Sequence, residues 1–392
     1  MEKSTILTIP GAKKSVLLDL ITREVLLVSN SDIQTYIRLH NKIDSIEEEF
    51  IKQVSSHKVI TSWLFLTLMC DLECSYCFEK NCQRMRQSVM TKKTVDEICT
   101  YLISQNNKAT RRYDFIYFGG EPLLNYSGLI YAVEKFNNDL RCSVTHKIIT
   151  NGFSLNPEKA SELINNGVRV FQITLDGNNE THNKRRFTTS RKGTYETILK
   201  NIIGLLRIPQ DFTLIIRINV DKANEKSIRT LLNDEYEVFS DFRVYIDIGK
   251  VCTHTFTKEY PDNLSRPEFN EFYAEIIQDI HKLGLNSVPP YSGGCSRRNV
   301  AVKFFSPSGK KYNCPVRVEN QHCQDNCDFS TSNHAFLPDY IPERCKSCEF
   351  LLLCGGGCNI RSNSSSEILC EKKYIAQELT SYYKAKYSKF LI

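Results

Sequence analysis

The sequence lacks a long apolar run. Its longest predominantly apolar stretch, residues 63–69, is far too short to span a bilayer, and residues 1–4 lack the apolar core of a signal peptide. The sequence also lacks a large excess of charge of one sign. Its 51 Lys and Arg residues are interspersed with 45 Asp and Glu residues, and the formal net charge is only +6. We therefore expect a cytoplasmic protein that binds neither a membrane nor nucleic acid.

The composition indicates a folded chain of several domains. With 392 residues, of which 41% are apolar, the chain exceeds what one hydrophobic core usually organises, and disorder or a collagen-like structure is excluded. Its 16 cysteines are too many for an ordinary cytosolic protein, and the chain is too long for a disulfide-stapled mini-domain. Clustered thiols in a reducing compartment indicate bound metal.

From residue 59 onward, apolar runs alternate with amphipathic stretches of helical length. Strands are predicted over residues 59–69, 113–118, 143–149, 169–175, 212–220 and 242–248. Helices are predicted over residues 92–105, 126–139, 157–166, 195–206 and 225–239. Since right-handed crossovers of this length build parallel sheets, we expect an α/β fold, either a barrel or a doubly wound sheet.

Polar residues and glycines follow the first four predicted strands, at the edge that carries the chemistry in βα barrels. Gly119 and Gly120 let the backbone approach a ligand closely, and Glu121 offers a carboxylate for a cationic group. Taken singly, each is an ordinary turn residue, so the functional interpretation depends on their shared position. The residues are Cys70, then Gly119, Gly120 and Glu121, then Thr150, Asn151 and Gly152, then Asp176 and Gly177.

Three cysteines, Cys70, Cys74 and Cys77, lie on one loop in the spacing Cys-x3-Cys-x2-Cys. Three thiolates can hold three irons of a four-iron cluster and leave the fourth iron open to a further ligand. A zinc site completed by Cys82 is compatible with the same spacing. The spacing alone leaves both sites open.

Together these motifs resemble the radical SAM superfamily, over roughly residues 60–250. In that family the three cysteines hold a 4Fe-4S cluster that binds S-adenosyl-L-methionine (SAM). The resemblance implies a partial (β/α)6 TIM-like barrel over residues 59–285. It also implies that Tyr76 lies near the adenine and that residues 118–122 bind the methionine amine of SAM.

The resemblance implies further contacts with SAM. Arg186 aligns with the family arginine, in an element where Asn183 replaces the usual Asp. Arg217, inside the fifth strand, is either a carboxylate partner or a snorkelling arginine. The complete set of implied SAM-binding residues is Tyr76, Gly119, Gly120, Glu121, Thr150, Asn151, Thr174, Asp176, Arg186 and Arg217.

The C-terminal cysteines resemble a SPASM domain, placed at residues 286–392, which is Cys-rich, loop-rich and carries two auxiliary 4Fe-4S clusters. Zinc ribbons are the alternative that Cys-x2-Cys alone would allow. By resemblance, the outer cluster is held by Cys345, Cys348, Cys354 and Cys370, and the inner one by Cys295, Cys314 and Cys358. Relatives with a complete inner set carry another cysteine where residues 296–313 have none, so Cys323 or Cys327 is the fourth ligand, or that iron is open; we favour Cys327.

The resemblance implies reductive cleavage of SAM to a 5′-deoxyadenosyl radical that abstracts hydrogen from the substrate. The expected cofactors are three 4Fe-4S clusters and SAM. Because SPASM enzymes mostly modify peptides, the expected function is maturation of a ribosomally made precursor peptide, giving a thioether or other crosslink. The expected partners are that peptide, an electron donor such as flavodoxin or ferredoxin, and an ATP-grasp ligase or exporter system.

Residues 1–58 form a small N-terminal α+β segment, with strands predicted at 15–20 and 24–28 and a helix at 32–39. The segment is similar to the opening of radical SAM peptide maturases and implies docking of a leader peptide by strand addition. A small cap on the barrel is an equal alternative.

Three other functions stay open. An anaerobic sulfatase-maturating enzyme commonly has Asp after the second SPASM cysteine, whereas Pro315 follows Cys314 here, which argues against that branch. The others are a SPASM enzyme acting on a small molecule and a metal-stapled binding protein without catalysis. No catalytic acid or base is predicted, since Tyr291, His322 and His334 are candidates by position only.

Overall fold

A computed structural model describes residues 5–40, 45–56, 58–81, 88–105, 110–251, 260–290, 299, 301–318, 341–357 and 370–391. The chain divides into two compact units. One, called here the barrel unit, comprises Ser56–Asn263 and Val300–Ala335; the other, the terminal unit, comprises Met1–Ser55, Leu264–Asn299 and Phe336–Ile392. The division into three domains at residues 58 and 285 stays a prediction, since these units join segments distant along the chain.

The elements alternate strand and helix through the middle of the chain. The strands are β1 (Ile6–Ile9), β2 (Lys14–Asp19), β3 (Val25–Ser29), β4 (Val59–Thr67), β5 (Arg112–Gly119), β6 (Ser143–Thr150), β7 (Val168–Thr174), β8 (Thr213–Val220), β9 (Val244–Lys250), β10 (Val302–Phe305) and β11 (Lys311–Tyr312). The helices are α1 (Ile33–His40), α2 (Ile46–Val54), α3 (Lys92–Gln105), α4 (Tyr126–Asp139), α5 (Pro157–Asn165), α6 (Asn179–Arg185), α7 (Tyr195–Leu206), α8 (Glu225–Asp234), α9 (Tyr236–Phe239), α10 (Arg266–Lys282), α11 (Glu343–Lys346), α12 (Leu351–Cys354) and α13 (Lys372–Lys386).

A sheet in the order β11-β10-β4-β5-β6-β7-β8-β9 forms the barrel unit. Strands β4 to β9 are parallel and lie in chain order, and β10 adds a further parallel strand beside β4. This arrangement confirms the predicted α/β fold with a partial (β/α)6 barrel. The sequence did not predict β10 or the two-residue β11, which pairs antiparallel with β10.

Side chains alternate between the two faces of this sheet. His146 of β6 is hydrogen-bonded through Nε2 to Asn137 of α4, so its face meets the helices. The next residue, Lys147, lies on the opposite face, which we call the concave face. Strand pairing and alternation place Trp63, Asp114, Ile116, Phe118, Lys147, Gln172, Arg217, Asp247 and Phe304 on it.

The predicted helices of the barrel unit form with nearly the predicted bounds. Helices α3, α4 and α7 have the predicted ends, and α5 ends one residue early. The helix predicted over residues 225–239 is divided into α8 and α9, because Glu235 has φ −105° and ψ 24°. Asn156 caps α5, its side chain accepting from Lys159 N at 2.9 Å, with Pro157 as the first helical residue.

The terminal unit contains a three-stranded antiparallel sheet in the order β1-β2-β3. The predicted strands and helix of this segment appear as β2, β3 and α1, whereas β1 and α2 were not predicted. Helix α2 packs Ile46 and Phe50 against Ile341, Leu351 and Leu352. Helix α10 is joined to α13 by Arg266, which forms ion pairs with Glu371 at 2.8 Å and Glu378 at 3.1 Å.

Within the described ranges, no helix combines the length and apolar character needed to cross a bilayer.

Candidate functional site

Two glycines bring the ends of β4 and β5 together. Gly119 has φ +135°, and a Cβ there would lie 2.1 Å from Thr67 O. A Cβ on Gly120 would lie 2.2 Å from Met69 O. Gly120 N donates to Thr67 O at 2.9 Å, and Glu121 N donates to Met69 O at 2.8 Å. The glycines are therefore required where this loop lies against the chain that leads into Cys70.

Glu121 is fully buried and joins the loops after β5 and β6. Its Oε1 accepts from Thr150 Oγ1 at 2.7 Å and from Leu123 N at 3.0 Å, and its Oε2 accepts from Asn151 N at 2.7 Å. Burial raises the pKa of Glu121 to about 7, although these hydrogen bonds act in the opposite direction. The carboxylate predicted to meet the SAM amine thus also organises the sheet edge.

The loop carrying Cys70, Cys74 and Cys77 follows β4 directly. Asn151 Nδ2 lies 3.8 Å from Cys70 Sγ and donates to Asp71 Oδ1 at 2.6 Å. Burial and the nearby Glu121 raise the pKa of the Cys70 thiol. The loop is also fastened to the segment after β7, because Ser75 N donates to Arg185 O at 2.9 Å and Glu73 N to Phe187 O at 2.8 Å.

The hydroxyl of Tyr76 lies at the centre of a polar network. It donates to Asp176, and it accepts from Arg186 Nη1 at 2.8 Å and from Asn219 Nδ2 at 3.2 Å. Asp176 Oδ1 accepts from Asn219 N at 2.8 Å. Burial raises the pKa of Tyr76 well above its usual value, and Asp176 adds to the shift while Arg186 opposes it. The predicted residues Tyr76, Asp176 and Arg186 are therefore brought together.

Two buried ion pairs underlie this network. Arg185 Nη1 donates to Asp221, and Arg186 Nη1 lies 4.0 Å from Asp176 Oδ2. Both aspartates are fully buried, and Arg185 and Arg186 are 3% and 5% exposed. The guanidinium of Arg185 lies 4.8 Å from the centre of the Tyr76 ring.

Several residues of this network were not predicted from the sequence. Arg185, Asn219, Asp221 and Asn224 were not singled out. Asn224 Nδ2 donates to Asp176 O and to Asn219 O, each at 2.9 Å. Asp221 directly follows β8, so the strand-end rule applied to the first four strands would have found it.

Asn183, which stands where the family has Asp, caps α7. Its Oδ1 accepts from Thr194 N at 2.7 Å and Tyr195 N at 2.9 Å. A side-chain oxygen suffices for this contact, so Asn can replace Asp here.

Arg217 and Thr174 lie side by side on β8 and β7. Arg217 Nη1 donates to Asp247 Oδ2 at 2.7 Å and its Nε donates to Asn219 Oδ1 at 3.1 Å. A Cβ on Gly249 would fall 1.7 Å from Arg217 Nη2, so the guanidinium lies directly on the β9 backbone. Arg217 is thus ion-paired within the sheet, and its predicted contact with SAM stays a prediction.

Four cysteines surround one cavity in the terminal unit. Cys345, Cys348, Cys354 and Cys370 line this partly open cavity together with Phe350 and Lys372. Gly357 N donates to Cys354 Sγ at 3.1 Å. These are the four cysteines predicted for the outer cluster.

The donor sets fit iron–sulfur clusters. Soft thiolates are the ligands such clusters use, with four for a complete site and three where one iron stays open. Within the described ranges, no three His, Cys, Asp or Glu side chains converge on a position for a single metal ion. The number of thiols in each group, three on the loop after β4 and four around the cavity, therefore matches the donor count of such clusters.

The inner cluster falls largely outside the described residues. Cys82, Tyr291, Cys295, His322, Cys323, Cys327, His334 and Cys358 all lie there. Cys314 is described; it lies two residues after the end of β11 and directly before Pro315.

Comparison with known proteins gives a consistent result. A "Cysteine-type anaerobic sulfatase-maturating enzyme" of Clostridium novyi is 24% identical over 347 residues, covering 77% of this chain and 90% of that protein. The structure of anSMEcpe with bound AdoMet has a TM-score of 0.62 at 16% identity and covers 84% of this chain and 97% of its own; with bound AdoMet and the Cp18Cys peptide, the TM-score is 0.58. Streptococcus suis SuiB bound to precursor peptide SuiA has a TM-score of 0.58 at 13% identity and covers 93% of this chain and 99% of its own.

Residues 64–234 match the family model described as the Radical SAM superfamily. That span runs from the end of β4 through α8 and contains the cysteine loop, Glu121 and the Tyr76 network. The resemblance stated from the motifs is confirmed for residues 64–234, which are similar to the radical SAM domain.

Proposed function

We propose that this protein is a radical SAM enzyme that modifies a ribosomally made precursor peptide. The observation that carries the proposal is the sheet edge, where the loop of Cys70, Cys74 and Cys77 is held against Glu121, Asn151 and the Tyr76 network. In barrels of this kind, that edge is where chemistry takes place.

Cys70, Cys74 and Cys77 would hold the SAM-binding 4Fe-4S cluster. Together with bound SAM, that cluster supplies a 5′-deoxyadenosyl radical able to abstract a hydrogen atom. The protein's own contribution is orientation and the exclusion of water. Arg186 and Asp176 fix the Tyr76 hydroxyl, which sets the position of a ring two residues from Cys74.

Cys345, Cys348, Cys354 and Cys370 would hold an outer auxiliary 4Fe-4S cluster. The cavity they line supports this assignment. The inner cluster at Cys295, Cys314, Cys327 and Cys358 rests on the SPASM resemblance, and so does the total of three clusters.

A peptide substrate is supported by two observations. SuiB is described with a bound precursor peptide, and its fold extends over 93% of this chain. In this chain β3 is the last strand in the order β1-β2-β3 and pairs with β2 along one of its edges. Its other edge is the position at which an extended leader peptide would add as a further strand. The electron donor, a flavodoxin or ferredoxin, and an ATP-grasp ligase or exporter belong to the same proposal.

Anaerobic reconstitution tests the proposal. We expect about twelve irons per chain and formation of 5′-deoxyadenosine from SAM under dithionite. The triple variant Cys70→Ala/Cys74→Ala/Cys77→Ala should lose SAM cleavage and keep about eight irons. Co-expression with short peptides encoded beside the gene should give a product of altered mass only with the wild type. Zinc in place of iron, or no SAM cleavage by the wild type, would refute the proposal.

A sulfatase-maturating activity is the second candidate. It is favoured by the curated relative from Clostridium novyi, which aligns over 77% of this chain. Pro315 argues against it, because no carboxylate follows Cys314. Incubation with the Cp18Cys peptide separates the two functions: a mass change in that peptide would favour sulfatase maturation, and no change alongside modification of a neighbouring precursor would exclude it.

A further inference from the structure

The concave face of the barrel unit carries a polar cluster that crosses four adjacent strands. Lys147 of β6 donates through Nζ to Gln172 Oε1 of β7 at 2.8 Å. On the next two strands, Arg217 of β8 donates to Asp247 of β9 at 2.7 Å. The side chains of Arg217 and Asp247 remain 28% and 23% exposed, so the cluster is open to a ligand.

The charges in this cluster do not balance. Arg217 is neutralised by Asp247, and the other acid of the concave face, Asp114, lies 2.7 Å from Arg112. Lys147 is hydrogen-bonded to a neutral amide. Among the described concave-face residues, Lys147 is therefore the cation without a carboxylate of its own. Burial lowers the pKa of Lys147, Asp247 opposes that shift and the nearby Arg217 adds to it, as expected for an ammonium only partly compensated.

Gln172 is oriented to assist an anion. A lysine only donates hydrogen bonds, so the oxygen of the Gln172 amide must face Lys147 Nζ. The Gln172 NH₂ group then points away from Lys147 and, among the described residues, donates to none of them. A carboxylate lying alongside the pair would accept from Lys147 Nζ with one oxygen and from the Gln172 NH₂ group with the other, while the hydrogen bond between the two side chains stays in place.

The cluster also lies below the sheet edge on the concave face, where a substrate that enters from that edge could contact it. Lys147 precedes Thr150, the sheet-edge residue that bonds Glu121, by three positions. At about 3.3 Å per residue, it lies roughly 10 Å below that edge. Beside it, the concave face turns apolar: the ring centre of Trp63 is 5.8 Å from that of Phe118 and 5.4 Å from that of Phe304.

We propose that Lys147 and Gln172 form a subsite that binds the carboxylate of an acidic side chain in the substrate peptide, with an apolar neighbouring residue packing on Trp63. This inference rests on the proposed peptide function and names the chemistry of the residue presented. A lysine that has no ion-pair partner of its own among the described residues, on a partly exposed concave face, is the feature that an acidic group would complete.

Affinity selection tests the subsite. The reconstituted full chain with SAM is equilibrated with a degenerate heptapeptide pool, and retained peptides are sequenced by mass spectrometry. We expect peptides containing Asp or Glu to be enriched about tenfold over those with Asn or Gln. Lys147→Met should abolish the enrichment, Gln172→Leu should reduce it, and Lys147→Arg should largely keep it. Lys93→Met, on the exposed surface of α3, is the matched control and should behave as wild type.

Each outcome bears on one proposal or the other. Retention of peptides without an acidic preference, or a preference that survives in Lys147→Met, would overturn the subsite while leaving the peptide function intact. Retention of no peptide by a protein that cleaves SAM would overturn the subsite, and the mass change of the co-expressed precursor peptide then decides the peptide function separately. Equilibrium dialysis measures SAM binding by each variant and so shows whether its sheet edge is folded. A variant that keeps SAM binding but loses the preference for acidic peptides has lost only the subsite.

Discussion

The two cysteine-bearing regions of this protein differ in what holds them together. At the edge of the parallel sheet, Glu121, Asp176 and Asp221 are fully buried and accept hydrogen bonds from backbone amides of β8 and of the loops that follow the strands. Around the C-terminal cavity, four thiols line a partly open space, and Cys348 and Cys354 accept hydrogen bonds from backbone amides. The first region is held by buried side-chain hydrogen bonds, whereas we expect the order of the second to depend on the cluster proposed for its four thiols.

The largest effect is expected from breaking the buried pair beneath the cysteine loop. Asp221→Ala leaves the Arg185 guanidinium buried without its partner, which should cost about 3–5 kcal/mol in the free energy of unfolding. Urea unfolding followed by the fluorescence of Trp63, the single tryptophan, measures it. Glu180→Ala, which removes an exposed partner of Lys184, is the control and should have no measurable effect. Equal effects in the two variants would contradict a structural role for the buried pair.

A glycine at the same edge gives the next largest effect. Gly119→Ala adds a Cβ 2.1 Å from Thr67 O at φ +135°, so both backbone strain and a clash oppose it. We expect a loss of about 3 kcal/mol. Gly167→Ala is the matched control, because φ is +104° there and the nearest atom would lie at 3.4 Å, leaving strain alone at about 1 kcal/mol. If the two variants unfold at the same urea concentration, the close approach to β4 is not what requires Gly119.

The pH dependence of stability should report Glu121. Its pKa in the folded protein, about 7, exceeds the ordinary 4.5. A carboxyl whose pKa is raised by folding contributes its full stabilisation below pH 4.5 and loses it as the pH rises through 7. From pH 5 to 8, the wild type should therefore lose about 2 kcal/mol relative to Glu121→Gln, which cannot ionise. Parallel pH profiles for the two proteins would show that Glu121 stays ionised throughout.

The parallel sheet could be predicted almost completely because its information is local. Apolar runs that alternate with amphipathic stretches predict β4 to β9, and helical periodicity predicts α3, α4 and α7. Strand β10 pairs with β4, which lies more than 230 residues earlier in the chain. Strands β1 and β11 are short. All three strands therefore depend on contacts that local sequence patterns do not show.

The residues of the candidate site that lie at strand ends could be predicted, whereas the contacts between side chains of adjacent strands could not. Glu121, Asn151 and Asp176 were found because polar residues end parallel strands at one edge. The pairing of Arg217 with Asp247 and the meeting of Lys147 with Gln172 depend on strand register, which the sequence does not display. Asp221 was visible to the same rule and was missed because the rule was applied only through the fourth strand.

The smallest effect is expected in the C-terminal cavity, and it should depend on metal. In iron-free protein, Cys354→Ser replaces a thiol that faces the cavity and accepts from Gly357 N, a change worth about 0.5 kcal/mol. In reconstituted protein, the same substitution should lower the iron content by about a third and speed amide hydrogen exchange across residues 341–357. Cys142→Ser, whose thiol lies near Thr110 O outside both cysteine groups, should change neither quantity. If exchange across residues 341–357 is equally slow with and without iron, the cavity is held by the protein alone and the contrast between the two regions fails.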